Sequence, residues 1–405
     1  MLRSFNKYAI IALFVCNICL CYYIISLKDQ IKSTSINSQN NYDSIISNKE
    51  LLKKLMIDLI NENDHIYNLL IYYLQKNLTL DWSKSDTIAF ENKDDYPFLI
   101  TDSFEITSDG SYIINSFFPS KFIALFSKDG QFIRQFGREG KGPGEYTVPS
   151  FIDIKKDTIF CYDREQMKII AYSLSGKFIT EYKLFGAELF PKDFKMSPLE
   201  NKAIFYHICS PFIINNILSI YELKQHFMNL IGKFGKMSNI NIPSFIFAIN
   251  GLSKSENGYI FSINPQEFGF DAFLSDGSQI ASFRTKPPTW FKKLNYINNK
   301  YLFDQSKLSQ LFFQHSRSMS IHYLGKGIIG IYVQNPKKKN EKYIPSYYVF
   351  WRVDGKYLGA IKTNHPISKG KDGILYSWIE RSADSEINYK NPWLIKISLW
   401  DSNNL

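Results

Sequence analysis

Residues able to do chemistry are concentrated in one run of this chain, REGKGPGEY, which carries Arg138, Glu139, Lys141, Glu145 and Tyr146 between glycines. A second charged pair, Asp163 and Arg164, follows the strand-like IFCYD. Together these seven side chains would make a mixed-charge patch suited to gripping a polar ligand. The same run also has a structural reading, in which Gly140, Gly142, Pro143 and Gly144 shape a tight connection and Glu145 accepts backbone N–H groups within it. It is not a phosphate loop. The Gly-Lys-Ser/Thr ending is missing, and no helix follows to aim its N-terminus at an anion.

Other reactive residues do not converge in sequence. His65, His207, His226, His315, His322 and His365 are dispersed, and no G-x-S-x-G elbow is present. No cofactor-binding motif is found, and the one metal-ligand spacing, the C-x-x-C of Cys16 and Cys19, lies in lipid-like surroundings unsuited to zinc or redox chemistry, although separate β-sheets could bring distant ligands together at a channel. Cys16, Cys19 and Cys21 fall in an apolar stretch, while Cys161 and Cys209 lie in strand-like runs and read as core thiols. The net charge of +10 comes from lysines interspersed with acids, and the basic run Lys337 to Lys339 sits beside Asn and Pro in a loop. Nucleic acid is therefore not an expected partner. A further candidate is the aromatic segment containing Trp290, Phe291, Tyr296, Tyr301, Phe303, Phe312 and Phe313, which could grip a sugar or peptide or simply cap the fold.

The elements that would position these groups follow from a repeat. Strand pairs turn at Asp129-Gly130 and again at Ser175-Gly176, 46 residues later, in similar surroundings. A unit of about 40 to 50 residues holding four short strands is the signature of a propeller blade. Asp276-Gly277 lies 101 residues beyond Gly176, leaving room for a blade whose turn near Lys224-Gln225 has lost its glycine, and Asp354-Gly355 marks another. Residues 286–317 interrupt the rhythm and read as an insertion between blades four and five. Only Ile374 to Ile379 and Trp393 to Leu399 are clear strands of blade six. The segment Thr87 to Glu91 is thus expected to supply its outer strand and close the ring. In that geometry the loop Gly137 to Tyr146 and the turn after Asp163 share one rim.

FSKDGQFIRQFGREGKGPGEYTVP followed by IFCYDREQMKIIAYSLSGKFI resembles the six-bladed, NHL-like β-propeller proteins of bacterial cell envelopes, over roughly residues 86 to 400. The resemblance implies a fold more than an activity, because propellers host binding, scaffolding, lyase and hydrolase functions alike.

The chain ahead of the propeller has its own logic. Residues 8–27 are uncharged and at 1.5 Å per residue match the thickness of a bilayer core. Arg3, Lys7 and the amino terminus precede them, which predicts a cytoplasmic N-terminus and an exported body. Residues 28–79 read as a polar linker and an amphipathic helix that either lies against the propeller or serves as a stalk. The expected organisation is thus a membrane anchor over 1–27, linker and helix over 28–79, and an all-β, six-bladed propeller over 80–405. It would sit at the cytoplasmic membrane with the propeller on the periplasmic side. The expected role is a non-enzymatic module binding a protein, peptide or glycan; the alternative is a hydrolase or lyase with a metal in the channel.

Overall fold

The apolar alternation from Leu80 onward folds into antiparallel hairpins, arranged in the computed structural model as six four-stranded units. The structure describes residues 60–75, 79–91, 103–118, 120–184, 191–207, 217–235, 250–265, 267–293, 314–336, 344–379 and 391–399. All of these belong to one unit, Leu59–Leu405. The expected anchor, the polar linker and most of the insertion lie outside the described residues. No helix among the described residues is long and apolar enough to cross a membrane.

Blade 1 comprises Phe104–Ile106, Tyr112–Ser116, Phe122–Phe126 and Phe132–Gln135, and blade 2 Pro149–Lys155, Thr158–Asp163, Lys168–Ser173 and Phe178–Leu184. Blade 3 runs through Asp193–Met196, Lys202–Tyr206, Leu218–Lys224 and Phe227–Phe234; blade 4 through Leu252–Lys254, Ile260–Ser262, Gly269–Phe273 and Gln279–Arg284. Blade 5 is Arg317–Tyr323, Ile328–Gln334, Ser346–Arg352 and Tyr357–Thr363. Blade 6 takes Lys369–Lys371, Ile374–Ile379 and Trp393–Ser398, and its fourth strand is Asp86–Ala89. The closing register pairs Asp86 with Lys396 and Ala89 with Trp393, joining both ends of the domain in one sheet. Blades 2 and 3 are further fused by parallel pairing of Lys183 with Phe227 and Leu184 with Met228.

The turn residues explain the outer hairpins. Gly130, Gly176, Gly277 and Gly355 all adopt φ between 85° and 94°, a conformation that glycine reaches without a Cβ clash. Blade 3 makes the same reversal without glycine, placing Gln225 at φ 48° and His226 at φ 69°, the backbone of a primed two-residue turn. In blades 1, 2, 4 and 5 the pairing of the two outer strands slips by a residue near this turn, and in blade 3 it slips farther along, between Ile220 and Tyr221. Such a bulge adds twist. The outer pair of blade 6 shows no such slip, consistent with the bulge accompanying a covalent hairpin.

The core fills the wedges between blades. Phe90, Phe104, Tyr112, Phe126 and Trp378 pack between blades 6 and 1, and Tyr162, Phe194, Phe205 and Tyr221 between blades 2 and 3. Burying large side chains such as these contributes roughly 1.5 to 3 kcal/mol apiece. Helix α1, Asp64–Gln75, lies against the propeller: Tyr67, Leu70 and Leu74 join a cluster with Leu358 and Ile361 of blade 5. Its position is fixed by the Tyr67 hydroxyl donating to the Lys326 carbonyl at 2.8 Å and by Arg352 over the Tyr67 ring.

Candidate binding site

The innermost strand of each blade faces the channel and has no neighbour on that side, so its N–H groups need partners from elsewhere. Side chains of the preceding blade supply several. Ile152 N–H donates to Ser103 Oγ at 2.9 Å, Met196 N–H to Asp153 Oδ2 at 2.7 Å, Leu252 N–H to Asp193 Oδ2 at 2.9 Å, and Tyr323 N–H to Ser253 Oγ at 2.7 Å.

The same short strands carry a buried chain of charges. Lys369 of blade 6 reaches Glu105 Oε2 of blade 1 at 2.9 Å, and Lys195 of blade 3 reaches Glu105 Oε1 at 2.8 Å. Lys195 also stands 3.8 Å from Asp153 of blade 2, which is paired in turn with Lys254 of blade 4. Three ammonium groups and two carboxylates therefore alternate across five blades. Burial disfavours the charge on Glu105, but Lys195 and Lys369 outweigh it and hold the carboxyl well below the usual range. Lys369 is lowered to about 8, chiefly by desolvation. Asp193 is buried and raised to about 6, against the opposing pull of Lys195 and two backbone N–H groups. His322 is pushed down to about 3 by burial and then by Lys369 and Lys195. It is therefore neutral, and Nδ1 faces the Tyr348 hydroxyl at 2.9 Å.

Two spaces open on this array. A chamber of about 50 Å³ is bordered by Glu105, Asp193, Lys195, His322 and Lys369. A larger funnel of about 720 Å³ shares Glu105, Lys195 and Lys369 with it and widens through Lys155, Lys254 and Lys371. Its lip is formed by the turns that follow the innermost strands in all six blades, at Ser108, Lys156, Pro198, Asn257, Lys326 and Asp372. A volume of this size falls within the range of about 300 to 1,000 Å³ typical of small-molecule sites.

The residues singled out by the sequence occupy another part of the molecule. The loop after blade 1 and the turn after Asp163 do meet: Gln166 Nε2 donates to the Gly140 carbonyl at 3.0 Å and Lys168 Nζ to that of Gly142 at 3.3 Å. Here Asp163 is buried, and its carboxylate accepts the N–H groups of Thr147, Val148, Glu165 and Gln166. Glu145 accepts from Gly142 N–H at 2.8 Å and from Arg138 Nε at 2.6 Å. Tyr146 is buried and its hydroxyl accepts from Gln135. Glu139 pairs with Lys121, Arg164 lies over the Phe117 ring, and Lys141 is exposed. None of the seven borders the funnel. Of the insertion, Trp290 stacks on Tyr347 at 4.0 Å and Phe291 packs against Phe268, so these two rings dock onto blades 4 and 5. Tyr296, Tyr301, Phe303, Phe312 and Phe313 lie outside the described residues.

The channel residues were not apparent from motif spacing, since they stand one or two to a blade. A signal was nonetheless present: a charged residue placed within an otherwise apolar short strand, as in FEI, FIDIK and DFKM.

Comparison with known proteins agrees with this architecture. Residues 60–226 match a family model, DUF5128, described as a 6-bladed β-propeller. No curated protein matches the chain. Among solved structures, a member of the DUF4221 family from Bacteroides vulgatus superposes with a TM-score of 0.57 at 11% identity, covering 77% of this chain and 96% of that one. A putative exported protein from Bacteroides fragilis superposes with a TM-score of 0.50 at 13% identity, covering 77% and 94%. At these identities the likeness is one of fold. The chain is an all-β, six-bladed propeller.

Proposed function

We propose that this chain is a non-catalytic binding module of the NHL-like kind, held at the cytoplasmic membrane by residues 8–27 with its propeller on the periplasmic side. Its partner is a protein, peptide or glycan, a portion of which enters the channel funnel. The observation that carries this reading is the funnel of about 720 Å³, lined by all six blades and floored by three ammonium groups alternating with two carboxylates. Carboxylates committed to lysines and to backbone N–H groups hold a wall together and are poorly placed to act as bases. The alternative of a metal-dependent hydrolase or lyase finds no support in the donor set. Among the described residues no three His, Cys, Asp or Glu side chains gather where they could share an ion.

A blocked funnel tests the proposal. Ser108 is exposed on the lip, so Ser108→Trp should obstruct entry without disturbing the core. Purified full-length protein would be incubated with an envelope extract, washed, and its retained molecules identified by mass spectrometry. The wild type should retain a ligand that is released chemically unchanged, and Ser108→Trp should lose it. A ligand released as a cleaved product, or retained equally by both proteins, would defeat the proposal.

A further inference from the structure

We infer that the funnel takes a small ligand bearing an oxyanion, a carboxylate, sulfate or phosphate, held by the ammonium groups of Lys155 and Lys371. This rests on the funnel being the binding surface and adds the chemistry it recognises. Seven lysines border the funnel against five carboxylates. The excess is not spread evenly. At depth Glu105 and Asp153 are committed to Lys195, Lys369 and Lys254, whereas Asp157, Glu256 and Asp372 are exposed at the lip.

Between these levels two lysines donate to backbone carbonyls. Lys371 Nζ donates to the Ile106 carbonyl at 2.7 Å and Lys155 Nζ to the Glu200 carbonyl at 2.6 Å. Each ammonium has three donors, so each keeps capacity for an incoming acceptor. Lys254 lies near Lys155 but is already filled, pairing with Asp153 and donating to the Ile154 carbonyl at 2.9 Å and the Met196 carbonyl at 3.4 Å. The Lys155 ammonium is disfavoured first by burial and then by the charges of Lys254 and Lys156, while Glu200 and Asp153 favour it; an oxyanion would add to that favourable side. The walls favour a polar molecule: among the described residues Tyr323 is the one aromatic bordering the funnel, which gives little surface for stacking on an uncharged sugar ring.

The experiment titrates full-length protein by calorimetry with four probes of similar size: glucose, glucuronate, glucose sulfate and glucose phosphate. At least one anionic probe should bind, glucose should not, and the preference among the three identifies the oxyanion. Lys371→Met and Lys155→Met should each weaken that probe about tenfold, as expected for the loss of one charge-assisted hydrogen bond, and Lys371→Arg should restore most of the affinity. Added salt should weaken binding to the wild type more than to the Met variants. Glucose binding as tightly as its anionic forms, or unchanged affinity in both Met variants, would overturn the inference and leave the funnel as a site of other specificity. Failure of every anionic probe would also overturn it. In that case retention of an envelope ligand that Ser108→Trp abolishes would still uphold the binding-module reading, whereas loss of that result as well would remove both.

Discussion

Replacing Lys195 by methionine should destabilise the propeller by about 3 kcal/mol, in the lower part of the range for breaking a buried ion pair on one side. The ammonium lies 2.8 Å from Glu105 and 3.8 Å from Asp153. With an effective dielectric of about 20 these contacts are worth roughly 6 and 4 kcal/mol. Removing the buried ammonium returns several kcal/mol of desolvation, and repulsion with Lys369 is also lost. Glu105 keeps Lys369 and Asp153 keeps Lys254, so neither carboxylate is left alone. Urea unfolding followed by tryptophan fluorescence would measure the change, and a double-mutant cycle with Glu105→Gln would isolate the pair. The pH dependence supplies a signed check. Because the folded state lowers the Glu105 pKa, its contribution is present above the ordinary carboxylate range and is lost as pH falls through the folded value. The gap between wild type and Lys195→Met should therefore be widest near neutrality and close in acid. A change below about 1 kcal/mol, or no coupling in the cycle, would refute the idea that these charges fasten the blades together.

Three further outcomes are expected. Ile88→Ala, in the closing strand, should cost about 2 to 4 kcal/mol in urea unfolding, because Ile88 is buried in the aromatic cluster between blades 6 and 1. Gly130→Ala should cost more than about 1 kcal/mol by the same measurement, since φ is +85° and an added Cβ would collide with the Ala89 carbonyl of the closing strand. Cys161 is buried and its thiol is pushed well above the ordinary range by desolvation; peptide mapping after thiol labelling at neutral pH should find it unmodified until urea unfolds the chain.

Much of the fold was written in local chemistry. The glycine turns at Gly130, Gly176, Gly277 and Gly355 located the outer hairpins, and the missing outer strand of blade 6 led to the closing segment, because an unpaired edge has a predictable remedy. Blade 3 was harder to read because Gln225 and His226 take a backbone shape that their side chains do not advertise. The innermost strands of blades 3 and 6, Asp193–Met196 and Lys369–Lys371, were missed for a different reason. At four and three residues they are too short for any alternation to stand out from the surrounding chain. The candidate site suffered most. Arg138 to Tyr146 stood out because charge and glycine were dense in sequence, whereas Glu105, Asp153, Lys195, Lys254 and Lys369 become neighbours only when five blades surround an axis. Density along a chain marks tight connections as readily as sites, and the Asp163 and Glu145 carboxylates are occupied in holding one such connection.

The strand Asp86–Ala89 is among the first parts of the domain to leave the ribosome, yet it waits for residues 393–398, the final strand of its sheet. A nascent chain therefore carries this segment unpaired until residues 393–398 have been made, and long-range pairing of this kind is slow to form. Premature termination anywhere before Trp393 leaves Ile88 without Leu394, so such fragments are natural substrates for quality control. The arrangement makes synthesis of residues 393–398 the condition for a finished ring.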